Sequence, residues 1–177
     1  GDAANKAYVD SKLIKSSSGV IQQLGTDYNN RDGTIVTCSQ DYNSQFRAWQ
    51  IFSQGMANGT NEFAIVVSPT WPVIVQIQLN VAVPVWQVAM RGRIGNSSSF
   101  TAWQLRGSVD GTTYVTLINS TQILTSGLGS ATPTYLVPVS PANTNAFKYF
   151  QLYFTAANGI NSPGLSYCQL YQYDSLY

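Results

Sequence analysis

The chain has 177 residues, 44% hydrophobic and 12% aromatic, which allows one domain with a real core plus an appendage. Nine Lys+Arg against eight Asp+Glu leave neither a basic field for nucleic acid nor an acidic tail, and the absence of His excludes Ser/His/Asp and Cys/His catalysis. Charged residues make up only 10%, so amides, hydroxyls and Tyr must cover the surface, and no apolar run reaches the roughly 18 residues needed to cross a bilayer.

The first residues lack both Met and an apolar signal segment, so Gly1 reads as a processing boundary within a larger protein. Asp2 to Lys15 carries the one helical pattern: Asp2 can cap, Ala3, Ala4 and Ala7 favour helix, and Lys12 and Lys15 suit its C-terminal end. Ala7, Ser11 and Ile14, with Tyr8 beside them, form a narrow stripe. A helix this short is marginal in water. It therefore reads as a disordered linker, as a helix docked on its own domain, or as a short parallel coiled coil. Ser16-Ser17-Ser18-Gly19 breaks it, dividing the chain into residues 1–18, helix and linker, and 19–177, a β domain.

From Val20 onward the pattern is period two. Strands are predicted at Val20–Leu24, Thr34–Ser39, Phe46–Phe52, Glu62–Val67, Val73–Pro84, Trp86–Arg93, Ala102–Val109, Tyr114–Ile118, Thr134–Val139, Lys148–Ala156 and Ser166–Tyr173. Turn dipeptides such as Asn58-Gly59 and Asp110-Gly111 separate them. Many short strands at this spacing predict an all-β sandwich or barrel with essentially no helix beyond residue 16. In the hairpin around Asp110-Gly111, Trp103, Leu105 and Val109 share one face. A two-residue loop would add Tyr114, Thr116 and Ile118 to it, and a three-residue loop Val115 and Leu117. Burial of the apolar set favours the longer loop, with Gly111 in the left-handed region.

Two strings resemble known families. W-x-L-x-G-S-x-D-G-x-x-Y-x-x-L, from Trp103 to Leu117, is similar to the central hairpin of discoidin-like (F5/8 type C, galactose-binding-like) β-sandwich domains. The likeness extends from about Thr34 to Tyr173, although two charged landmarks of that family stand here as Gln151 and Gln169, so fold carries over better than ligand chemistry. A-x-N-K-x-Y-V-D-x-K, from Ala3 to Lys12, resembles the segment before globular modules of trimeric phage tail-fibre and viral fibre proteins. Together they imply a discoidin-like jelly roll behind a trimerising helix.

The discoidin resemblance implies a non-catalytic scaffold with binding loops at one end, here Ser39–Trp49, Gly55–Asn61 and Gly95–Phe100. The candidate ligand-binding residues are Tyr42, Arg47, Trp49, Asn58 and Asn61, with Arg91 and Arg93 leaving their strand toward the same rim. Core packing competes for every Trp, and a solvated face for every Arg. The one glutamate, Glu62, has no evident carboxylate partner for glycosidase work. Asn29, Asn30 and Asp32 form an oxygen-rich turn that suits an ordinary loop better than calcium, and no cofactor is expected. Cys38 and Cys168 lie in the first and last strands of the discoidin-like region and are either bridged, as that family implies, or two buried thiols. The resulting expectation is a homotrimeric fibre tip on the virion surface, joined to other virion proteins through its N-terminus. It binds a host-surface glycan or glycoprotein, and neither nucleic acid nor membrane. The alternatives are a structural capsid decoration and a carbohydrate-binding module of a larger secreted protein.

Overall fold

A computed structural model describes residues 13–19, 33–43, 46–52, 62–94, 98–125, 133–139, 144–159 and 161–175. These form ten strands: β1 (Leu13–Gly19), β2 (Ile35–Cys38), β3 (Phe63–Ala64), β4 (Val73–Val83), β5 (Val85–Gly92), β6 (Ser99–Ser108), β7 (Val115–Ser120), β8 (Thr134–Pro138), β9 (Phe147–Asn158) and β10 (Gly164–Ser175). One antiparallel sheet runs β1-β10-β5-β8 with β3 also on β10; the other runs β2-β4-β9-β6-β7. The two pack as the expected all-β sandwich.

Alternation builds the core. Val73, Val75, Ile77 and Leu79 of β4 and Phe150, Leu152 and Phe154 of β9 point inward, opposite Val88 and Met90 of β5 and Cys168 and Leu170 of β10. Each such side chain contributes about 1.5–3 kcal/mol by leaving water. Trp103 is buried and its indole N–H donates to the Gln122 carbonyl at 3.1 Å. Phe100 and Trp103 are both buried although three residues apart, because the β6–β9 register shifts between them. Phe100 stacks on Phe154 with ring centroids 3.8 Å apart.

Four expectations need correction. Leu13–Gly19 is strand, paired with β10 from Leu13↔Ser175 onward, so the predicted helix cannot extend to Lys15 and Ser16–Gly19 is not a linker. Residues 2–12, the rest of that helix, and the predicted strand Val20–Leu24 lie outside the described residues. Phe46–Phe52 is not a strand: Ala48–Phe52 forms a 3₁₀ turn burying Ala48, Ile51 and Phe52, a three- and four-residue spacing that suits a helical turn better than a strand. In the hairpin, Gly111 does take φ of +77°, but Val109 and Val115 are exposed. Leu117 and Ile118 are buried instead, because the β6–β7 register shifts opposite Leu105 and Arg106 and lets neighbouring residues both turn inward.

Cys38 and Cys168 are free thiols, one on an edge strand and one in the core. Burial pushes the Cys38 thiol up to about 12 and raises Cys168 as well.

Candidate functional site

The strand ends fix where a site can form. β2 ends at Cys38 beside the start of β4, where the Ser39 N–H donates to the Ile74 carbonyl at 3.0 Å and the Ile74 N–H to Ser39 Oγ at 3.1 Å. The chain then crosses to the other sheet, with Asp41 bridging Ile65 and the Tyr42 N–H reaching the Ala64 carbonyl at 2.9 Å. Residues 39–43 and 46–47 therefore cap one end of the sandwich, and this rim is the candidate site.

Gln40 clamps the neighbouring corner. Its Oε1 accepts from the Thr70 N–H at 2.8 Å and its Nε2 donates to the Thr70 carbonyl. This holds Thr70 directly before Trp71, which is exposed and joined to Pro72 by a cis peptide bond. Asp41 and Arg47 form an ion pair at 3.7 Å, with the Asp41 side chain 17% and the Arg47 side chain 35% exposed. Burial pushes the Asp41 carboxyl up, against the opposing pull of Arg47 and the Ala48 backbone N–H. Tyr42 is 46% exposed and meets Phe46 edge-on, with centroids 6.0 Å apart.

Behind this surface lies a buried brace. Arg93 Nε donates to Glu62 Oε2 at 2.9 Å, and its Nη1 to the Ser162 carbonyl at 3.2 Å. Its guanidinium also lies 4.7 Å above the Phe46 ring. Glu62 Oε1 accepts from the Ile94 N–H at 2.8 Å. One ion pair thus ties together the segments at 46, 62, 93–94 and 162. The lone glutamate has an arginine partner, and the charge of each is matched where water is scarce.

The structure brings together Tyr42, Arg47 and Arg93 of the predicted residues, with Arg93 beneath the rim rather than on it. Trp49 sits in the 3₁₀ turn and packs against the core, the competing reading for a tryptophan. Arg91 stands on the outer face of the other sheet, where Nε and Nη2 donate to Thr134 Oγ1 at 3.1 and 2.9 Å. Asn58, Asn61 and the turn Asn29-Asn30-Asp32 lie outside the described residues. Asp41, Gln40 and Trp71 were missed. The Trp71-Pro72 dipeptide before a strongly alternating strand was the available signal for the last of these. Among the described residues no cluster of three or more acidic or cysteine side chains could hold a metal ion.

No family model matches the chain, and no curated protein matches it. Solved structures do. The family 32 carbohydrate-binding module of Clostridium perfringens NanJ, in complex with galactose, is 11% identical with a TM-score of 0.63, over 78% of this chain and 93% of that one. Chitosan-binding module 2 of the chitosanase/glucanase from Paenibacillus sp. IK-5, in complex with chitotriose, is 13% identical at a TM-score of 0.61, over 77% and 95%. A putative α-L-fucosidase from Bacteroides thetaiotaomicron is 13% identical at 0.66, over 99% of this chain and 32% of that one. At such identities the likeness is one of fold, and the fold is the expected discoidin-like sandwich.

Proposed function

We propose that this domain is a non-catalytic glycan-binding module that takes a sugar at the rim formed by residues 39–43 and 46–47 and the Thr70–Trp71 corner. The observation that carries the reading is the composition of that rim. An exposed phenol ring, Tyr42, adjoins an ion pair whose two halves stay partly open, and an exposed indole, Trp71, lies across the Gln40 clamp. Sugars present apolar ring faces that stack on aromatics, and paired hydroxyls that suit a carboxylate and a guanidinium. Asp41 accepts from hydroxyls and Arg47 donates to them. The Arg93–Glu62 brace holds the loops in place before ligand arrives, which lowers the entropic cost of binding. Modules with this fold in complex with galactose and with chitotriose support a sugar as the ligand.

In the proposed setting the module is the tip of a viral or phage fibre attaching to a host-surface glycan. Three copies joined through residues before β1 would turn weak sites into avidity. A second setting, a binding module within a larger carbohydrate-active protein, is favoured by the fucosidase match, of which this chain covers 32%.

A glycan array probed with the full chain tests the binding. Arg47→Ala should weaken it about tenfold or more, since a charge-assisted bond contributes roughly 1.5–3 kcal/mol, and Tyr42→Ala should weaken it by removing the stacking ring. Arg91→Ala should change it less than about twofold, because that guanidinium is directed at Thr134. Failure of the wild-type chain to bind any glycan refutes the reading. Sedimentation equilibrium distinguishes the settings: a trimer supports the fibre, a monomer the larger protein.

A further inference from the structure

The outer face of the β2-β4-β9-β6-β7 sheet is ordered in a way that solvation does not require. Strand pairing aligns its outward side chains in cross-strand rows. Thr37, Gln76, Gln151, Arg106 and Thr116 are successive register partners, and the row nearer the rim runs Ile74, Tyr153, Gln104 and Asn119. The amides are linked: Gln151 Nε2 donates to Gln76 Oε1 at 3.0 Å, and Gln76 Nε2 to Tyr114 OH at 2.8 Å. Arg106 lies over the Tyr153 ring, with Cζ 3.4 Å from its centroid, and its Nε donates to Gln104 Oε1 at 2.7 Å. Over β2, β4 and β9 this face forms an open groove of about 480 Å³, a volume suited to a small-molecule ligand.

The geometry points to this groove as an extended subsite for a neutral, unbranched oligosaccharide, continuing from the rim onto the sheet. The inference rests on the rim reading above. Three observations select that occupant. No charged side chain lines the groove; its polar contacts come from Thr37, Ser39, Gln76, Gln78 and Gln151, which match hydroxyls rather than phosphate, sulfate or carboxylate. Linked amides leave donors and acceptors at strand spacing along β4, where Gln76 and Gln78 are two residues apart on one face. The groove is also continuous with the rim: it ends at Ser39 and Ile74, hydrogen-bonded to each other, and Ser39 is followed by the Gln40 clamp on Thr70. A chain whose terminal sugar sits at Tyr42 and Arg47 therefore has a path along β2 and β4.

The test measures affinity of the full chain for neutral linear oligosaccharides of one to six sugars, beginning with galactose and β1,4-linked galactose chains on the array above. Affinity should rise by about tenfold or more from the monosaccharide to the tetrasaccharide. Thr37→Arg, which places a long side chain in the groove from an exposed edge position, should abolish that rise and leave monosaccharide binding intact. Gln151→Ala, which removes an amide without filling the groove, should reduce the rise. Side-chain amide NMR signals of Gln76, Gln78 and Gln151 should shift with the tetrasaccharide and not with the monosaccharide. Monosaccharide binding without length dependence overturns the groove and leaves the rim. A concentration-dependent dimer abolished by Thr37→Arg, again without length dependence, overturns it in favour of a second copy. Binding to no glycan overturns the rim reading, and the groove with it.

Discussion

Asp110 holds its turn with one oxygen. Oδ1 accepts from the Thr112 and Thr113 N–H groups and from Ser108 Oγ–H, each at 2.8 Å. These bonds favour the carboxylate and hold its pKa well below the ordinary 3.8. On acidification the unfolded chain takes up the proton first. The stabilisation is therefore complete above about pH 4 and is lost as pH falls through the folded value. Asp110→Asn should lower the melting temperature at pH 7, and the gap from wild type should narrow steadily as the pH falls below 4. A constant gap would show that charge is not what the turn uses. Cys38 shows the opposite effect of environment. A thiol titrating near 12 rather than its ordinary 9.0 holds about a thousandth as much thiolate at pH 8. Alkylation by iodoacetamide should therefore be slow in the native protein at both cysteines and fast in urea. Rapid native labelling of either would show that it is accessible.

Among the elements, the strands were the most legible part of the chain. β4, β6, β9 and β10 announce themselves by alternation, and the structure forms a strand at each. Irregularities were not legible, because each depends on a distant partner. The joint burial of Leu117 and Ile118 needs the register shift against β6, and the 3₁₀ turn at Ala48–Phe52 needs the core that Ile51 and Phe52 enter. The rim was half legible for the same reason. Tyr42 and Arg47 stood out as an aromatic and a cation in a polar loop. Arg93 looked identical until Glu62, 31 residues away, was placed against it. Two substitutions separate local from distant causes. Gly111→Ala puts a Cβ at positive φ and 3.2 Å from the Tyr149 ring, and should cost about 1–2 kcal/mol in urea denaturation. Phe154→Ala removes half of the Phe100 stack and should cost about 3–5 kcal/mol. Equal effects would contradict the distinction.

At the scale of the whole molecule, β1 is the least expected contributor. Its sequence, LIKSSSG, has no strand pattern of its own, and β10 recruits it through backbone pairing. Removing residues 1–19 should therefore destabilise the sandwich. Losing a few ladder bonds costs on the order of 2 kcal/mol, or roughly 4–8 °C for a domain of this size. A truncated chain melting with the full-length protein would show that β1 adds nothing.

That pairing also sets the mechanics of the domain. Leu13 lies opposite Ser175, at the end of β10 away from the rim, and β1 runs from there toward the rim. Tension between a ligand held at the rim and an anchor before Leu13 pulls β1 along its own axis. Antiparallel ladder bonds lie across the strands, so this load shears them together. Tension applied between residues 13 and 175 instead opens the same ladder at one end, a bond at a time. In single-molecule pulling, the first geometry should resist higher force than the second.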